Sequence, residues 1–455
     1  LTALDLLVRD GLVVTPKGTF RASIGIEDGV IVAIGSSASM PMAERTIDAS
    51  GLLVFPGIID EHVHFRDPGL EWKEDFRTGS MAAAAGGVTT VLDMPNTDPP
   101  TVDADGFRAK LEAASRKSLV DFGFYAGVVP GRVEELRELA ELGVVGVKVY
   151  MSETTGIREP VDDLDLIRTM RVASSLGLRV GVHAEDGRTI SRLREELRAT
   201  GQRNPLLHMR ARPVEAEVLA VGRALLAARL TGCGLHVFHL SSAAALEVIR
   251  ALRPLGVDVT VETCPHYLLL DGEDSLSKLG NVAKVNPPIR GRADAEALWD
   301  AIARGEVDAI GSDHAPHLPQ EKMVDDVWSA PSGFPGVETM LPLMLTEVHK
   351  GRLSYEKIAA LLSENPARIW GLYPRKGSIM IGSDGDLTLV DPDAEWVIRA
   401  DRLHSKSKVT PFEGLRVRGK PVYTVVRGEV VMERGEVVED ARRGQLVRPV
   451  RRGER

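Results

Sequence analysis

Residues 56–65, PGIIDEHVHF, run a short apolar strand straight into the pair His62 and His64. The same texture returns down the chain in TTVLDM (89–94), DFGFYAG (121–127), GVKVYM (146–151), RVGVHA (179–184), LHVFHL (235–240), VTVET (259–263) and DAIGSD (308–313). Helical patterns of about 10–15 residues separate these runs, the alternation that marks βαβ units and a parallel sheet. Counted this way, the strands end at or near His64, Asp93, Ala126, Tyr150, His183, His239, Glu262 and Asp313. That many βα units between residues 56 and 372 predict a closed, TIM-like (β/α)8 barrel with insertions.

On either side of this region the texture changes. LLVRDGLVV (6–14) and ASIGIEDGVIVAIG (22–35), with an Asp28-Gly29 turn, read as short strands and a hairpin. DGDLTLVD (384–391) and KPVYTVVRGEVVMERGEVV (420–438), with an Arg427-Gly428 turn, read the same way. Each end is too small to form a good core alone. The expectation is one small β-sandwich domain built from residues 1–55 and 373–455, with the catalytic barrel of residues 56–372 inserted between its halves.

Hydrophobic residues make up 44% of the 455-residue chain and charged residues 27%, an ordinary globular balance. A net charge of −9 lacks the basic footprint of a nucleic-acid binder. The basic stretch from Arg442 to Arg455 is expected to be a solvated tail. Asp5 and Asp10 interrupt the N-terminal apolar run, which argues against a secretory signal, and no run of about 18 apolar residues predicts a membrane span. Two cysteines, Cys233 and Cys264, make no disulfide framework, so a reducing cytoplasm is the default expectation.

Histidine is scarce, at eleven in the chain, yet His62, His64, His183 and His239 each fall at the end of a predicted barrel strand. That is the rim where barrel enzymes carry their chemistry. Residues i and i+2 of a strand share a face, so both imidazoles of His62-Val63-His64 can reach one metal. Imidazole and carboxylate suit zinc and its neighbours, and Asp313 on the last strand supplies the carboxylate. Lys148 inside GVKVYM is costly in a barrel unless it is paired or chemically changed. A carbamylated Lys148 would supply a carboxylate able to bridge two metals. Asp313 would bind the first metal and take the proton of the attacking water.

With these residues laid out, the chain resembles the cyclic amidohydrolases (dihydroorotases, allantoinases and hydantoinases) over essentially its whole length. PGIIDEHVHFRDPG, KVYM, HAED, HLSS and SDHAPH follow the family's order. The resemblance implies a metal-bearing barrel flanked by a β-sandwich. It places His62, His64 and Asp313 on one divalent ion, His183 and His239 on the other, and carbamylated Lys148 between them, with zinc the expected metal.

Within the family the stretch from His64 to Thr101 looks most like a dihydroorotase. That group grips its substrate's carboxylate through residues matching Arg66, Asn96 and His317, and Asn286 matches one that touches the ring. The implied activity is reversible hydrolysis of dihydroorotate to N-carbamoyl-aspartate in pyrimidine synthesis. KSLVDFGFYAGVVPG, VETCPHYLLL and SDHAPHLPQEK pull instead toward allantoinases, which keeps an allantoinase or hydantoinase reading open. Many bacterial dihydroorotases carry Asp at the position of Lys148, so the resemblance is to the lysine-bearing branch. A reading of another class is a non-catalytic homologue serving as a scaffold or subunit partner, against which the full ligand set stands. His266 is given a supporting place only. The polar segment from His317 to Gly333 is expected to be a lid, and GFPGVETMLPLML to shape the pocket floor and start a helix. Expected partners are a small-molecule substrate and further copies of the chain, as a dimer or tetramer, with docking onto another pyrimidine-pathway enzyme left open.

Overall fold

The structure, a computed structural model, describes residues 3–156, 159–441 and 444–450. Eight parallel strands run in chain order from Ile58–Val63 to Ala309–Ile310, each hydrogen-bonded to the next. A parallel bridge between Val63 and His314 joins the last strand's continuation to the first. His64 N–H donates to the His314 carbonyl at 2.8 Å across that seam, and the sheet becomes a barrel. Helices cover its outside, so both faces of each strand lie out of water and the strands read as continuous apolar runs. The whole of Asp121–Gly127 and Gly146–Tyr150 is buried. The barrel's base is plugged by Trp370, which stacks on Phe238 at 5.8 Å and donates to Glu61 at 2.5 Å.

The second sheet has nine strands drawn from both chain ends, mostly antiparallel. Leu53–Pro56 lies at its middle, paired with Leu4–Thr15 on one side and Leu387–Val397 on the other. After Gly57 the chain passes directly into the first barrel strand. Both turns expected from sequence form. Asp28 and Gly29 have φ of 51° and 77°, and Arg427 and Gly428 have 46° and 75°, which suits the right-handed twist of a hairpin. The two tips meet: Gly385 N–H donates to the Gly29 carbonyl and Gly428 N–H to the Gly385 carbonyl.

A buried charge cluster joins sheet to barrel. Lys376, wholly out of water, reaches Asp121 and Asp386 at 2.6 Å and Asp384 at 2.9 Å. Arg427 adds a second cation at Asp121. Three acids this close could hold a metal, but Lys376 already fills that role.

The tail differs from its expectation. Gln445 and Val447 hydrogen-bond Phe122 at the first turn of a barrel strand, and Val447 is buried against Trp370 and Tyr125. Its apolar residues outweigh its arginines locally, because burying a valine is worth about 1.5 kcal/mol or more. Residues 442–443 and 451–455, which carry most of the tail's charge, lie outside the described residues. Among the described residues, no helix is long and apolar enough to cross a membrane.

Candidate metal centre and active site

The strands stop sooner than the sequence suggests. His239 lies beyond Leu235–Val237, and Asp313 beyond Ala309–Ile310. Both adopt left-handed backbone, with φ of 40° and 48°, and so does Arg66 at 63°. Non-glycine residues held there cost about 1–3 kcal/mol each and cluster at functional sites. Here the departure turns three side chains off the strand direction and toward one cavity. His62, His64, Lys148, His183, His239 and Asp313 all line it, as do Arg66, Asn96 and Asn286. Gly311 keeps the last strand close: a Cβ there would sit 2.4 Å from a Glu262 carboxylate oxygen and 3.1 Å from the His62 side chain.

The imidazoles are aimed by partners far away in sequence. His62 Nδ1 lies 2.9 Å from Glu262, and His64 Nδ1 lies 2.7 Å from the Asn96 side-chain oxygen. Their Nε2 atoms both face one Asp313 oxygen, each at 3.3 Å. On the other side of the cavity His183 Nε2 meets Glu185 at 2.8 Å, leaving Nδ1 3.0 Å from His239 Nε2. Carboxylate or amide contacts of this kind fix the tautomer and orientation of a metal-binding histidine. Burial also holds His62, His64, His183 and His239 below their ordinary pKa, so the rings are neutral donors. Lys148 Nζ is buried, has no hydrogen-bond partner and sits 3.9 Å over the Phe238 ring. Burial lowers its pKa to about 7. Neutral imidazoles, a facing carboxylate and a half-neutral amine fit divalent metal ions. Ligand atoms of His62, His64 and Asp313 lie within 4.8 Å of one another.

The residues expected to hold substrate differ among themselves. Arg66 is buried, and its Nε and Nη1 have no partner; its Nη2 lies 3.3 Å from His317 Nε2. Asn96 spends its oxygen on His64 and an amide hydrogen on the Thr155 carbonyl at 2.9 Å. The side-chain oxygen of Asn286 is free. His317 stands behind Arg66 instead of lining the cavity: Lys73 approaches Nδ1 at 2.9 Å and the Ser332 carbonyl is 3.0 Å from Nε2. His266 is buried against Tyr267 and Phe334 and does not line the cavity either.

The segment expected to be a lid is strapped down. Lys284 donates to the carbonyls of Val327 and Ala330, and Lys322 to those of Lys284 and Pro331. Asn281 holds Val324, and the Trp328 indole donates to Gln202. These contacts oppose wholesale opening. The helix expected after GFPG forms at Met340–His349.

Sequence reasoning missed the roles of Glu262, Glu185 and Tyr150. Glu262 and Tyr150 were visible as strand ends and Glu185 within HAED, but nothing local assigned them partners. The Tyr150 hydroxyl is buried, unpartnered and lines the cavity.

Fold and site together define a barrel hydrolase prepared for divalent metal. A model described as the amidohydrolase family matches residues 53–431, and the chain belongs to that family. It is 44% identical to an allantoinase of Rubrobacter xylanophilus, across 100% of both chains. It is 40% identical to a dihydroorotase of Geobacter sp. (strain M21), over 95% of this chain and 100% of that one. The solved L-hydantoinase (dihydropyrimidinase) of Arthrobacter aurescens superposes with a TM-score of 0.94 at 38% identity, covering 98% of this chain and 100% of that one.

Proposed function

We propose that the protein hydrolyses the ring amide of a cyclic ureide of the allantoin or hydantoin class. The observation that carries this choice over dihydroorotate is the state of the expected carboxylate clamp. His317 has both ring nitrogens engaged and lies off the cavity, and Asn96 is committed to His64 and Thr155. A clamp reduced to Arg66 suits a neutral ring whose carbonyl needs one strong donor. Whole-length allantoinase relatives at 41–44% identity support the same reading.

His62, His64 and Asp313 would hold one metal ion and His183 and His239 another. Lys148, half neutral near pH 7 because of burial, is suited to carbamylation, which would make it a carboxylate between them. Bound zinc or a similar ion supplies a Lewis acid for the carbonyl and lowers the pKa of water. Asp313 takes the proton released as water adds to the ring carbonyl carbon. It returns that proton to the ring nitrogen as the C–N bond breaks, leaving a ureido acid. Arg66, Asn286 and the Tyr150 hydroxyl orient the ring, and orientation alone can supply several kcal/mol (about 7 in favourable cases).

A second reading, dihydroorotase, rests on Arg66: a buried guanidinium with two free donors is what a carboxylate would satisfy. Turnover of metal-loaded protein on allantoin, hydantoin and dihydroorotate at equal concentration decides between them. Ring opening of allantoin or hydantoin at ten times the rate on dihydroorotate is expected. The reverse order would overturn the ureide assignment.

A further inference from the structure

A second cavity opens off the one that holds the candidate metal ligands. The two share Thr154, Thr155, Asn286 and Ser332 as a common wall. The second is the roomier, about 260 Å³ against about 30 Å³, so a substrate larger than a bare ring has space to extend into it. Its other walls come from the Gly187–Ala199 and Leu207–Ala211 helices and from the strapped segment at Trp328 and Ala330.

Cations converge on this space. Arg194, Arg212 and Lys284 line it, and Glu153 is the only acid among the described lining residues. Two of the three cations are balanced: Arg194 meets Glu153 at 2.9 Å, and Arg212 is tied to the buried Glu185. Lys284 is not. It is buried and gives two of its ammonium hydrogens to the carbonyls of Val327 and Ala330, and among the described residues it has no ion pair. Burial lowers its pKa to about 7, and Arg212 and Arg194 push the same way, opposed in part by Asp326. His208, on the same wall, is held below its ordinary value by burial and then by the charges of Lys284 and Arg212. Cations that repel one another across a shared space are relieved by an anion placed among them. One unbalanced ammonium calls for one negative charge, and the planar fork of Arg194, half-buried and only partly used by Glu153, suits a carboxylate.

We propose that this cavity receives a carboxylate-bearing arm on the substrate ring, so that the enzyme selects cyclic ureides with an acidic substituent over those with an apolar one. Lys284 and Arg194 meet the carboxylate, and Thr154 and Thr155 flank the arm where it leaves the ring. The inference rests on the ring-opening assignment above and adds the substituent that the site selects.

Turnover of the metal-loaded protein on hydantoin, 5-isobutylhydantoin and hydantoin-5-propionate tests it. The propionate is expected to exceed the isobutyl compound in kcat/KM by about tenfold or more, the worth of a charged hydrogen bond, with the difference carried by KM. Lys284→Met should abolish that preference. Because Lys284 also holds the strapped segment, Arg194→Leu on the half-exposed face of its helix supplies a second measurement, and should lower the propionate-to-isobutyl ratio about tenfold. Arg194→Lys, which keeps the charge, should retain most of the ratio. Ring opening of hydantoin with no advantage for the propionate arm, or a ratio unchanged by Arg194→Leu, would overturn the acidic-arm assignment and leave the ring-opening assignment standing. Added glutarate that changes hydantoin turnover while the propionate arm gains nothing would give the cavity to a free anion instead. No turnover on any of the three compounds would fail the ring-opening assignment itself, and this inference with it.

Discussion

Replacing Arg66 with Met should move stability and activity in opposite directions. In the free protein the guanidinium is 2% exposed, with Nε and Nη1 unpartnered and only the His317 ring near Nη2. Burial depresses its pKa, a sign that the charged form is poorly supported there. An unsatisfied buried donor costs about 1–3 kcal/mol, more when charged. Met fills similar volume without that cost, so the metal-free variant should gain about 1–3 kcal/mol and melt a few degrees higher. Catalysis should suffer. Loss of a charged hydrogen bond to a ring carbonyl removes about 1.5–3 kcal/mol, roughly 10- to 150-fold in kcat/KM on a ureide. A carboxylate-bearing ring would lose more, about 2–5 kcal/mol, because its own charge would be left buried and unpaired. Melting curves and kcat/KM on allantoin and dihydroorotate check both halves. A variant that is less stable than the wild type and equally active on every substrate would refute the argument that Arg66 awaits a ligand.

The other expectations concern aim, charge and pH. Asp313→Asn should cut turnover at least 100-fold, on the order of the general-base contribution, as steady-state rates will reveal. Glu262→Gln loosens the anchor of His62 and should weaken metal binding about 10- to 100-fold, measured by chelator competition. Lys376→Met leaves Asp121, Asp384 and Asp386 buried without their central cation, and should lower stability by about 3–5 kcal/mol in denaturant titration. Added calcium should recover part of that loss. His404 is raised above its usual pKa by its hydrogen bond to Glu338, so its contribution is full below about pH 6.5 and fades as pH rises through the raised value. His404→Ala should therefore destabilise the protein more at pH 6 than at pH 9, by thermal melting at both.

The barrel could be read from the sequence because its signal is local. Each apolar run of four to seven residues is long enough for a strand, and the helical spacing between runs leaves a parallel sheet as the solution. The residues that line the cavity stood out for the same reason: His62, His64, His183, His239 and Asp313 by type and by position at strand ends, and Lys148 as a lone cation inside an apolar strand. The two hairpins followed from Asp-Gly and Arg-Gly turns. What the sequence could not supply was the identity of partners. Glu262 reaches His62 across 200 residues, Trp370 reaches Glu61 across 309, and Lys376 reaches Asp121 across 255. Val447 in the tail packs on a barrel strand begun some three hundred residues earlier. Short-range propensity decides which elements form and which face water. Only closure of the barrel decides which nitrogen of each histidine is left free, that His317 is occupied behind Arg66, and that Arg66 itself is buried with Nε and Nη1 unpartnered, because those outcomes depend on contacts no local pattern encodes.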